Sequence, residues 1–287
     1  ILKIIKIIFR EKPDYIFSNQ RESNLAVSIA NILLLRRFKI IAREAAPFKF
    51  SNQNFIDKFY LYILKILYKS FNGIIFNSKY TQKSFLEKFK LKNHKVINNP
   101  ILVSSIKKNN YRRNDKIRNS IKLLTCSRLH EQKNIFTLID YFRMYKLRNS
   151  NAELHIVGDG EQRNEIIKYI NKFSLHKNVF IHKSQLNLEK FYLSSDIYIS
   201  TSLSEGFGNI FLEALYYNLP IISFDNGGVR EILKKNFQGR IISQNYFSFI
   251  NNINFYLKKN FKILYPSISH FNKDNIYKKY LNFIEND

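Results

Sequence analysis

The sequence contains a single cysteine, Cys126, and no tryptophan. One cysteine excludes an internal disulfide and any zinc cluster built from cysteines, and it is typical of a reducing compartment. No apolar run approaches the ~18 residues that a membrane-spanning helix needs, and the first residues lack the layout of a signal peptide. We therefore expect a cytoplasmic protein that is not embedded in a membrane.

Acidic residues are scarce: 22 aspartates and glutamates face 47 lysines and arginines, which gives a formal charge of +25. A charge of this size attracts nucleic acid, an anionic bilayer surface or a phosphate-bearing substrate, and by itself it does not distinguish them. The heavy use of Ile, Lys, Asn, Phe and Tyr also resembles coding from an AT-rich genome, which raises the lysine count without a functional demand. The charge thus predicts an acidic partner and leaves its class open.

Several catalytic patterns are missing as well. The sequence has no D-x-D pair, no His/Cys/Asp/Glu cluster with zinc spacing, and no carboxylate pair that stands out for glycoside hydrolysis. We therefore expect neither a metal ion nor another cofactor.

Short β-branched runs alternate with longer amphipathic stretches, which predicts parallel sheets flanked by helices and an α/β fold class. With 287 residues, 45% of them hydrophobic, the chain is long enough for two Rossmann-like domains. Residues 104–120, which are polar and rich in cations, interrupt this alternation of strands and helices. The predicted divisions are a first domain at 1–103, a linker at 104–120, a second domain at 121–271 and a closing helix at 272–287.

The alternation assigns individual elements. In the first half it predicts a strand at 38–44 and a helix at 55–71. In the second half it predicts strands at 121–127, 153–158, 178–182, 197–202 and 221–224, and between them helices at 134–147, 161–173, 187–195 and 209–217. Two such sheets leave a cleft at the carboxyl ends of their strands, where these folds bind ligands.

Glu213 is a carboxylate in the middle of the otherwise apolar helix "NIFLEALYY". Burying an ionised carboxylate among apolar groups costs several kcal/mol of folding free energy unless the carboxylate is hydrogen-bonded or paired. Two adjacent sugar hydroxyls, such as those of a ribose, would satisfy it, and so would a salt bridge to a neighbouring lysine or arginine.

The loop "SEGFGN" precedes this helix, so its backbone N–H groups and the positive end of the helix favour an anion. Gly206 and Gly208 allow a ligand to approach the backbone closely. Glu205 either caps the helix or accepts hydrogen bonds from the hydroxyls of a bound sugar.

Arg128 and Lys133 lie in "SRLHEQKN", between a strand and a helix. Cations before a helix oppose its dipole, which favours a bound diphosphate between them, although solvated loop cations fit the pattern too. Gly158 and Gly160 in "VGDG" either let a ring lie against the backbone or form a plain tight turn. The glycines of "DNGGVRE" are similarly ambiguous.

Three motifs in this order carry a resemblance: "SRLHEQKN", "SLSEGFGNIFLEALYYNLPII" with Glu205 and Glu213 separated by seven residues, and "DNGGVREI". They resemble the donor-binding domain of family 4 glycosyltransferases, retaining enzymes of the two-Rossmann GT-B architecture. The resemblance covers the second half of the chain by motif and the first half by pattern only.

The resemblance implies roles for individual residues. Arg128 and Lys133 would hold the diphosphate of a nucleotide-sugar, and Glu213 the ribose hydroxyls. The transferred sugar would contact Glu205 and the start of the helix. The donor-binding residues so implied are Gly206, Phe207, Gly208 and Asn209, with Gly158 and Gly160.

The chain departs from the family pattern in two places. It begins partway through the first domain, near a helix leading into "KPDYIFS", so we expect a truncated copy with an incomplete first domain. Where many relatives carry a histidine after a central strand, this chain has Arg43 and Glu44. Arg43 either meets the donor or acceptor or forms a structural ion pair.

The resemblance implies transfer of a hexose-type sugar with retention, by same-face attack of an acceptor hydroxyl, onto a bacterial surface glycan. Fixed cations aimed at the leaving diphosphate are the main catalytic device expected. Two other functions stay open. A sugar-nucleotide epimerase on the same fold needs acid/base residues that the sequence does not identify. A basic nucleic-acid-binding protein needs a recognised module, and none occurs.

Two stretches bear on the acceptor. The predicted helix at 55–71 carries six aromatic residues with Lys58, Lys65 and Lys69, a composition that suits a helix lying in a membrane interface. The linker adds seven cations against Asp115: Lys107, Lys108, Arg112, Arg113, Lys116, Arg118 and Lys122. Together they predict peripheral contact with an anionic membrane and a glycan or lipid-linked acceptor. The alternative is a core helix beside a solvated linker.

Overall fold

The computed structural model describes residues 2–35, 38–49, 55–101, 120–233, 239–258 and 268–285. The chain forms two compact units: unit 1 comprises Ile1–Pro100 with His270–Asp287, and unit 2 comprises Ile101–Ser269. Each unit contains one parallel sheet flanked by helices, so the predicted α/β fold with two Rossmann-like domains is confirmed. The predicted linker lies outside the described residues, apart from Ser120.

Unit 1 contains a four-stranded parallel sheet in the order β1-β2-β3-β4. Its strands are β1 (Tyr15–Asn19), β2 (Lys39–Glu44), β3 (Gly73–Phe76) and β4 (His94–Val96). Its helices are α1 (Leu2–Glu11), α2 (Arg21–Leu33), α3 (Phe55–Tyr68), α4 (Lys79–Leu86) and, at the end of the chain, α11 (Lys273–Glu285).

The central strands β2 and β3 are apolar and covered on both faces, as parallel strands usually are. On one face, Ile40 packs with Ile8 of α1, and α3 joins the same layer through Leu64. Right-handed crossovers place the connecting helices α2, α3 and α4 on this one face. On the other face, Ile41 packs against Ile276 of α11.

Arg43 fastens α11 to this sheet through neutral groups. Its guanidinium donates hydrogen bonds to Tyr280 Oη (2.9 Å), to Asn19 Oδ1 (2.9 Å) and to Asn99 Oδ1. Within the described ranges no carboxylate forms a salt bridge with Arg43, so the structure does not show the alternative of a structural ion pair there.

Glu44 is buried, only 1% exposed, and its carboxylate accepts hydrogen bonds from Tyr68 Oη (2.5 Å) and Asn24 Nδ2 (2.8 Å). Burial raises the pKa of Glu44, and these two hydrogen bonds oppose the rise. The carboxylate therefore serves as a core acceptor in unit 1.

Unit 2 contains a six-stranded parallel sheet in the order β10-β9-β8-β5-β6-β7. Its strands are β5 (Ile121–Cys126), β6 (Ala152–Val157), β7 (Val179–His182), β8 (Ile197–Ser200), β9 (Ile221–Phe224) and β10 (Gly239–Ile242). Its helices are α5 (Ile135–Lys146), α6 (Arg163–Lys172), α7 (Glu189–Ser194), α8 (Asn209–Tyr216), α9 (Val229–Ile232) and α10 (Tyr246–Lys258), and a 3-10 turn spans Glu131–Lys133.

The strand order reverses between β5 and β8. From β5 the chain continues outward through β6 and β7, then returns to build β8, β9 and β10 on the other side. The loops that follow β5 and β8 therefore diverge, and a crevice forms at the carboxyl ends of these two strands. The fold thus fixes where a ligand site is expected in unit 2.

Three elements of unit 2 have no counterpart in the sequence predictions: α9, β10 and α10. Two are only four residues long, and the 13 residues of α10 include three asparagines with modest helix propensity. Packing of Phe249, Ile253 and Tyr256 into the unit 2 core holds α10 in place. Across the described ranges, every helix is too short or too polar to cross a membrane.

Candidate active site

A pocket of about 160 Å³ opens at the reversal point of the unit 2 sheet. Its lining comes from the end of β5, from β8 with the loop after it, and from the start of α8; it includes residues 125–127, Lys133, Ser200, Glu205 and residues 208–210. Two of the three motifs of the sequence analysis thus line one cavity.

The loop after β8 is fastened to the 3-10 turn. The Thr201 hydroxyl donates hydrogen bonds to the carbonyl oxygens of Lys133 (3.1 Å) and Asn134 (3.0 Å). The Leu203 N–H donates to the carbonyl oxygen of Gln132 (2.9 Å). These bonds bring Lys133 and Glu205, 72 residues apart in sequence, to the same wall of the pocket.

Lys133 and Glu205 form an ion pair, with Nζ 2.5 Å from Oε1. Both side chains are largely buried, with 20% and 17% of their surface exposed. Burying either charge alone would cost free energy, and the opposite charge of the partner offsets that cost. Gly208, and not Glu205, occupies the N-cap position of α8.

The third motif, "DNGGVREI", fixes the backbone of Glu205. The Glu205 N–H donates to Asn226 O (2.8 Å), and the Gly228 N–H donates to Glu205 O (3.1 Å). A Cβ atom at Gly228 would lie 2.7 Å from Glu205 O and 2.8 Å from the Phe207 nitrogen. Gly228 therefore lets the two loops pack backbone to backbone, a role that the sequence left ambiguous.

Glu213 lies one helical turn inside α8, and its carboxylate accepts a hydrogen bond from the Tyr192 hydroxyl (3.0 Å). Burial raises the pKa of Glu213, and the bond from Tyr192 opposes the rise. Burial and then the nearby Glu213 carboxylate raise the pKa of the Cys126 thiol. Cys126 lines the pocket, whereas Glu213 is not among the lining residues.

No lysine or arginine of the described residues forms a salt bridge with Glu213, and no cation contributes to its pKa. The salt-bridge alternative is therefore wrong for this part of the chain. Tyr192, 2% exposed and stacked on Tyr217 at 5.3 Å between ring centroids, supplies one neutral donor. A carboxylate has room for more than one donor.

Gly208, Asn209 and Ile210 bring the start of α8 to the pocket. Gly208 adopts a left-handed conformation (φ +85°), and a Cβ there would lie 2.6 Å from the Phe211 ring. Phe207 is 1% exposed, and neither Phe207 nor its neighbour Gly206 lines the pocket, so their contact with a donor stays a prediction. The first N–H groups of α8 are donors of the kind that bind anions.

Gly158 and Gly160 serve the packing of two loops. A Cβ at Gly158 would lie 1.8 Å from Ser127 O, and one at Gly160 would lie 2.4 Å from Leu129 O. The Leu129 N–H also donates to Asp159 O (2.8 Å). These glycines let the loop after β6 press against the loop after β5, and their contact with a ligand ring stays a prediction.

Arg128 is exposed and does not line the pocket. Its guanidinium makes no hydrogen bond or salt bridge to another residue in the described part of the chain. The structure therefore brings together Lys133, Glu205 and the start of α8, and leaves both Arg128 and Glu213 outside the pocket lining. A joint role of Arg128 and Lys133 toward a diphosphate stays a prediction.

Sequence reasoning missed several pocket residues on the strands themselves. Tyr198 donates a hydrogen bond to Cys126 O (3.1 Å), which ties β8 to the end of β5. The Ser127 hydroxyl is buried in the pocket lining and has no partner among the described residues. Their position at the carboxyl ends of adjacent parallel strands was the available signal.

Among the described residues, no group of three histidine, cysteine or acidic side chains is placed to hold a metal ion. The expectation that the chemistry needs neither a metal nor a cofactor stays a prediction.

Residues 106–274 match the family model of the glycosyl transferases of group 1. The chain is 33% identical over 247 residues to an uncharacterized glycosyltransferase of Methanocaldococcus jannaschii, covering 80% of the chain and 60% of that protein. It is 34% identical over 114 residues to the amylovoran biosynthesis glycosyltransferase AmsD of Erwinia amylovora, covering 39% of the chain and 32% of that protein. The chain thus spans less than two thirds of the length of these curated relatives.

Among solved structures, the fold is similar to that of Anabaena HepE in complex with UDP-glucose. The TM-score is 0.81 and the sequence identity 20%, with 100% of this chain and 82% of that chain covered. A likeness at this identity concerns the fold.

Proposed function

The chain belongs to the glycosyl transferases of group 1, and from this membership we propose that it moves a sugar from a nucleoside diphosphate donor to a glycan or lipid-linked acceptor. The donor we propose is a UDP-linked hexose, since the fold is shared with a protein solved with UDP-glucose. A polysaccharide acceptor is supported by AmsD, which is named for amylovoran biosynthesis.

The observation that carries this proposal is the ion pair of Lys133 and Glu205 in the pocket wall. Departure of a nucleoside diphosphate builds negative charge on its phosphates, and a fixed cation at that point stabilises the transition state. We propose that Lys133 turns to the diphosphate while the sugar hydroxyls donate to Glu205. In the donor complex, the diphosphate would replace Glu205 as the anionic partner of Lys133. The sugar hydroxyls would replace Lys133 as hydrogen-bond donors to Glu205.

The other donor contacts follow from the pocket lining. The phosphates would accept hydrogen bonds from the N–H groups at the start of α8 and from the Ser127 hydroxyl. Glu213 would accept two hydrogen bonds from the ribose hydroxyls beside the one from Tyr192. Arg128 would approach the phosphates from the exposed side of its loop.

For the stereochemistry we propose retention by same-face attack of the acceptor hydroxyl. In the donor complex proposed above, Glu205, the one carboxylate among the pocket-lining residues in the described ranges, accepts hydrogen bonds from the sugar hydroxyls. That role makes it a binding group rather than the nucleophile that a covalent glycosyl-enzyme needs. We therefore propose retention without such an intermediate.

A calorimetric titration of the full chain with UDP-glucose, GDP-mannose and ADP-glucose tests the proposal. We expect saturable binding, strongest for the UDP-sugar, that survives at physiological salt. Glu213→Ala, at the proposed ribose contact, should weaken this binding. Its matched control, Glu165→Ala on the exposed face of α6, should leave the binding unchanged. The proposal is wrong if no sugar nucleotide binds, or if RNA binds instead with a steep loss of affinity as salt rises.

Replacing Gly228 by alanine is expected to weaken UDP-sugar binding about tenfold and to destabilise the fold by roughly 1–3 kcal/mol, because the new Cβ displaces the Glu205 backbone. The matched control is Gly239→Ala, whose Cβ would meet Ile221 O at 2.8 Å on the edge strand β10. Both variants should lower the melting temperature, and only Gly228→Ala should weaken binding. Equal binding by the two variants would contradict this positioning role.

A further inference from the structure

Helix α3 has two apolar faces. The inner face packs into the core of unit 1 through Leu64, Leu67 and Tyr68. The outer face is open to solvent and is formed by large apolar side chains that are between 37% and 82% exposed: Phe55, Ile56, Phe59, Tyr62, Ile63 and Ile66. A helix that only served the core would carry polar residues on this outer side.

The spacing makes the outer face a continuous stripe. Phe55, Phe59, Tyr62 and Ile66 follow one another at intervals of four, three and four residues, so they share one side of the helix. The acidic residue of this helix, Asp57, is half-buried and falls on the inner side. The stripe spans the whole length of α3.

A row of cations borders this stripe. Lys58 and Lys65 lie along one flank of α3, Lys69 follows directly after its last residue, and all three are exposed. Lysine stems pack along an apolar surface while their ammonium groups reach polar headgroups. An apolar stripe with aromatic residues and a basic flank is the pattern of helices that lie in a membrane interface.

Helix α1 adds a second element of the same kind. It packs against α2 on the sheet face that also carries α3. Its exposed residues include Leu2 and Phe9 at a spacing of seven, with Lys3, Lys6 and Arg10 beside them. Both helices therefore present apolar groups and cations away from the same side of the sheet.

We propose that the outer faces of α3 and α1 dock unit 1 on an anionic lipid bilayer. Contiguous apolar patches of this kind are rare on monomeric proteins and mark interaction sites. The lysine flank and the formal charge of +25 select an anionic surface as the occupant. Docking leaves the α3 core contacts unchanged and covers the apolar stripe with headgroups and acyl chains.

Sedimentation with lipid vesicles tests this proposal in the absence of any nucleotide. We expect the full chain to bind vesicles of phosphatidylcholine and phosphatidylglycerol in equal parts, to release them as salt rises, and to ignore pure phosphatidylcholine. Replacing Lys58, Lys65 and Lys69 by glutamine should weaken binding about a hundredfold. Phe59→Ser with Ile63→Ser should weaken it at least about tenfold.

Matched controls lie on unit 2. Leu147→Ser with Phe247→Ser removes apolar groups that are even more exposed than Phe59 and Ile63, and glutamine at Lys168, Lys177 and Lys183 removes three exposed cations. All four variants should melt at the wild-type temperature. The proposal is overturned if the α3 variants bind anionic vesicles as the controls do, or if neutral vesicles bind equally well. It is also overturned if the chain self-associates and the α3 variants abolish that association.

Discussion

Replacing Lys133 by glutamine is expected to lower the rate of sugar transfer or donor hydrolysis by about a hundredfold to a thousandfold, the usual loss when one preorganised charge is removed from a developing anion. The same change leaves the Glu205 carboxylate, 17% exposed, without its cation. We expect a loss of roughly 2 kcal/mol in the free energy of unfolding of unit 2. Steady-state kinetics and thermal unfolding measure the two effects separately.

A double variant separates catalysis from folding. Lys133→Gln combined with Glu205→Gln replaces the ion pair by two neutral amides, so stability should recover while the rate stays low. Lys168→Gln, an exposed lysine on α6, is the matched control and should change neither quantity. If the Lys133 variant kept the wild-type rate, or if stability alone fell, the catalytic role of Lys133 would be refuted.

Replacing Glu213 by glutamine is expected to weaken UDP-sugar binding between about tenfold and a hundredfold and to raise the melting temperature of the free protein. Binding falls because hydrogen bonds from the ribose hydroxyls to a charged acceptor are lost. Stability rises because burial raises the pKa of Glu213, so the ionised carboxylate is a net cost at neutral pH. Calorimetry and thermal unfolding should thus move in opposite directions.

The gain in melting temperature from Glu213→Gln should depend on pH. A carboxyl group with a raised pKa in the folded state contributes stability below its unfolded pKa and loses it as the pH rises through the folded value. The melting temperatures of wild type and Glu213→Gln should therefore differ at neutral pH and converge in acid. Glu165→Gln, exposed on α6, should show no such difference. A constant gap at all pH values would contradict the burial argument.

The periodicity of the sequence was sufficient for the central elements of both sheets. The predicted strand at 121–127 is β5 (Ile121–Cys126), and the predicted helix at 209–217 is α8 (Asn209–Tyr216). These segments are predictable because parallel strands buried on both faces read as short apolar runs, and amphipathic helices separate them. The elements α9, β10 and α10 were missed because tertiary packing decides them more than local pattern does.

The candidate site was predictable in its membership and only partly in its contacts. Spacing put Lys133 and Glu205 each in a loop after a predicted strand, and the family resemblance assigned them, with Glu213, to one donor site. It did not predict that Lys133 pairs with Glu205 in the free protein, or that Tyr192 serves Glu213. Both contacts join residues that are far apart in sequence. Gly158 and Gly160 show the same limit, because a close backbone neighbour explains them as well as a ligand does.

A crystal structure of the full chain with UDP-glucose would test most directly whether the pocket of unit 2 binds the donor as proposed. We expect the Lys133–Glu205 pair to open, with Lys133 Nζ at about 2.7–2.9 Å from a diphosphate oxygen and both ribose hydroxyls on the Glu213 carboxylate. A bound donor that leaves this ion pair closed, with its ribose remote from Glu213, would contradict the proposed donor site.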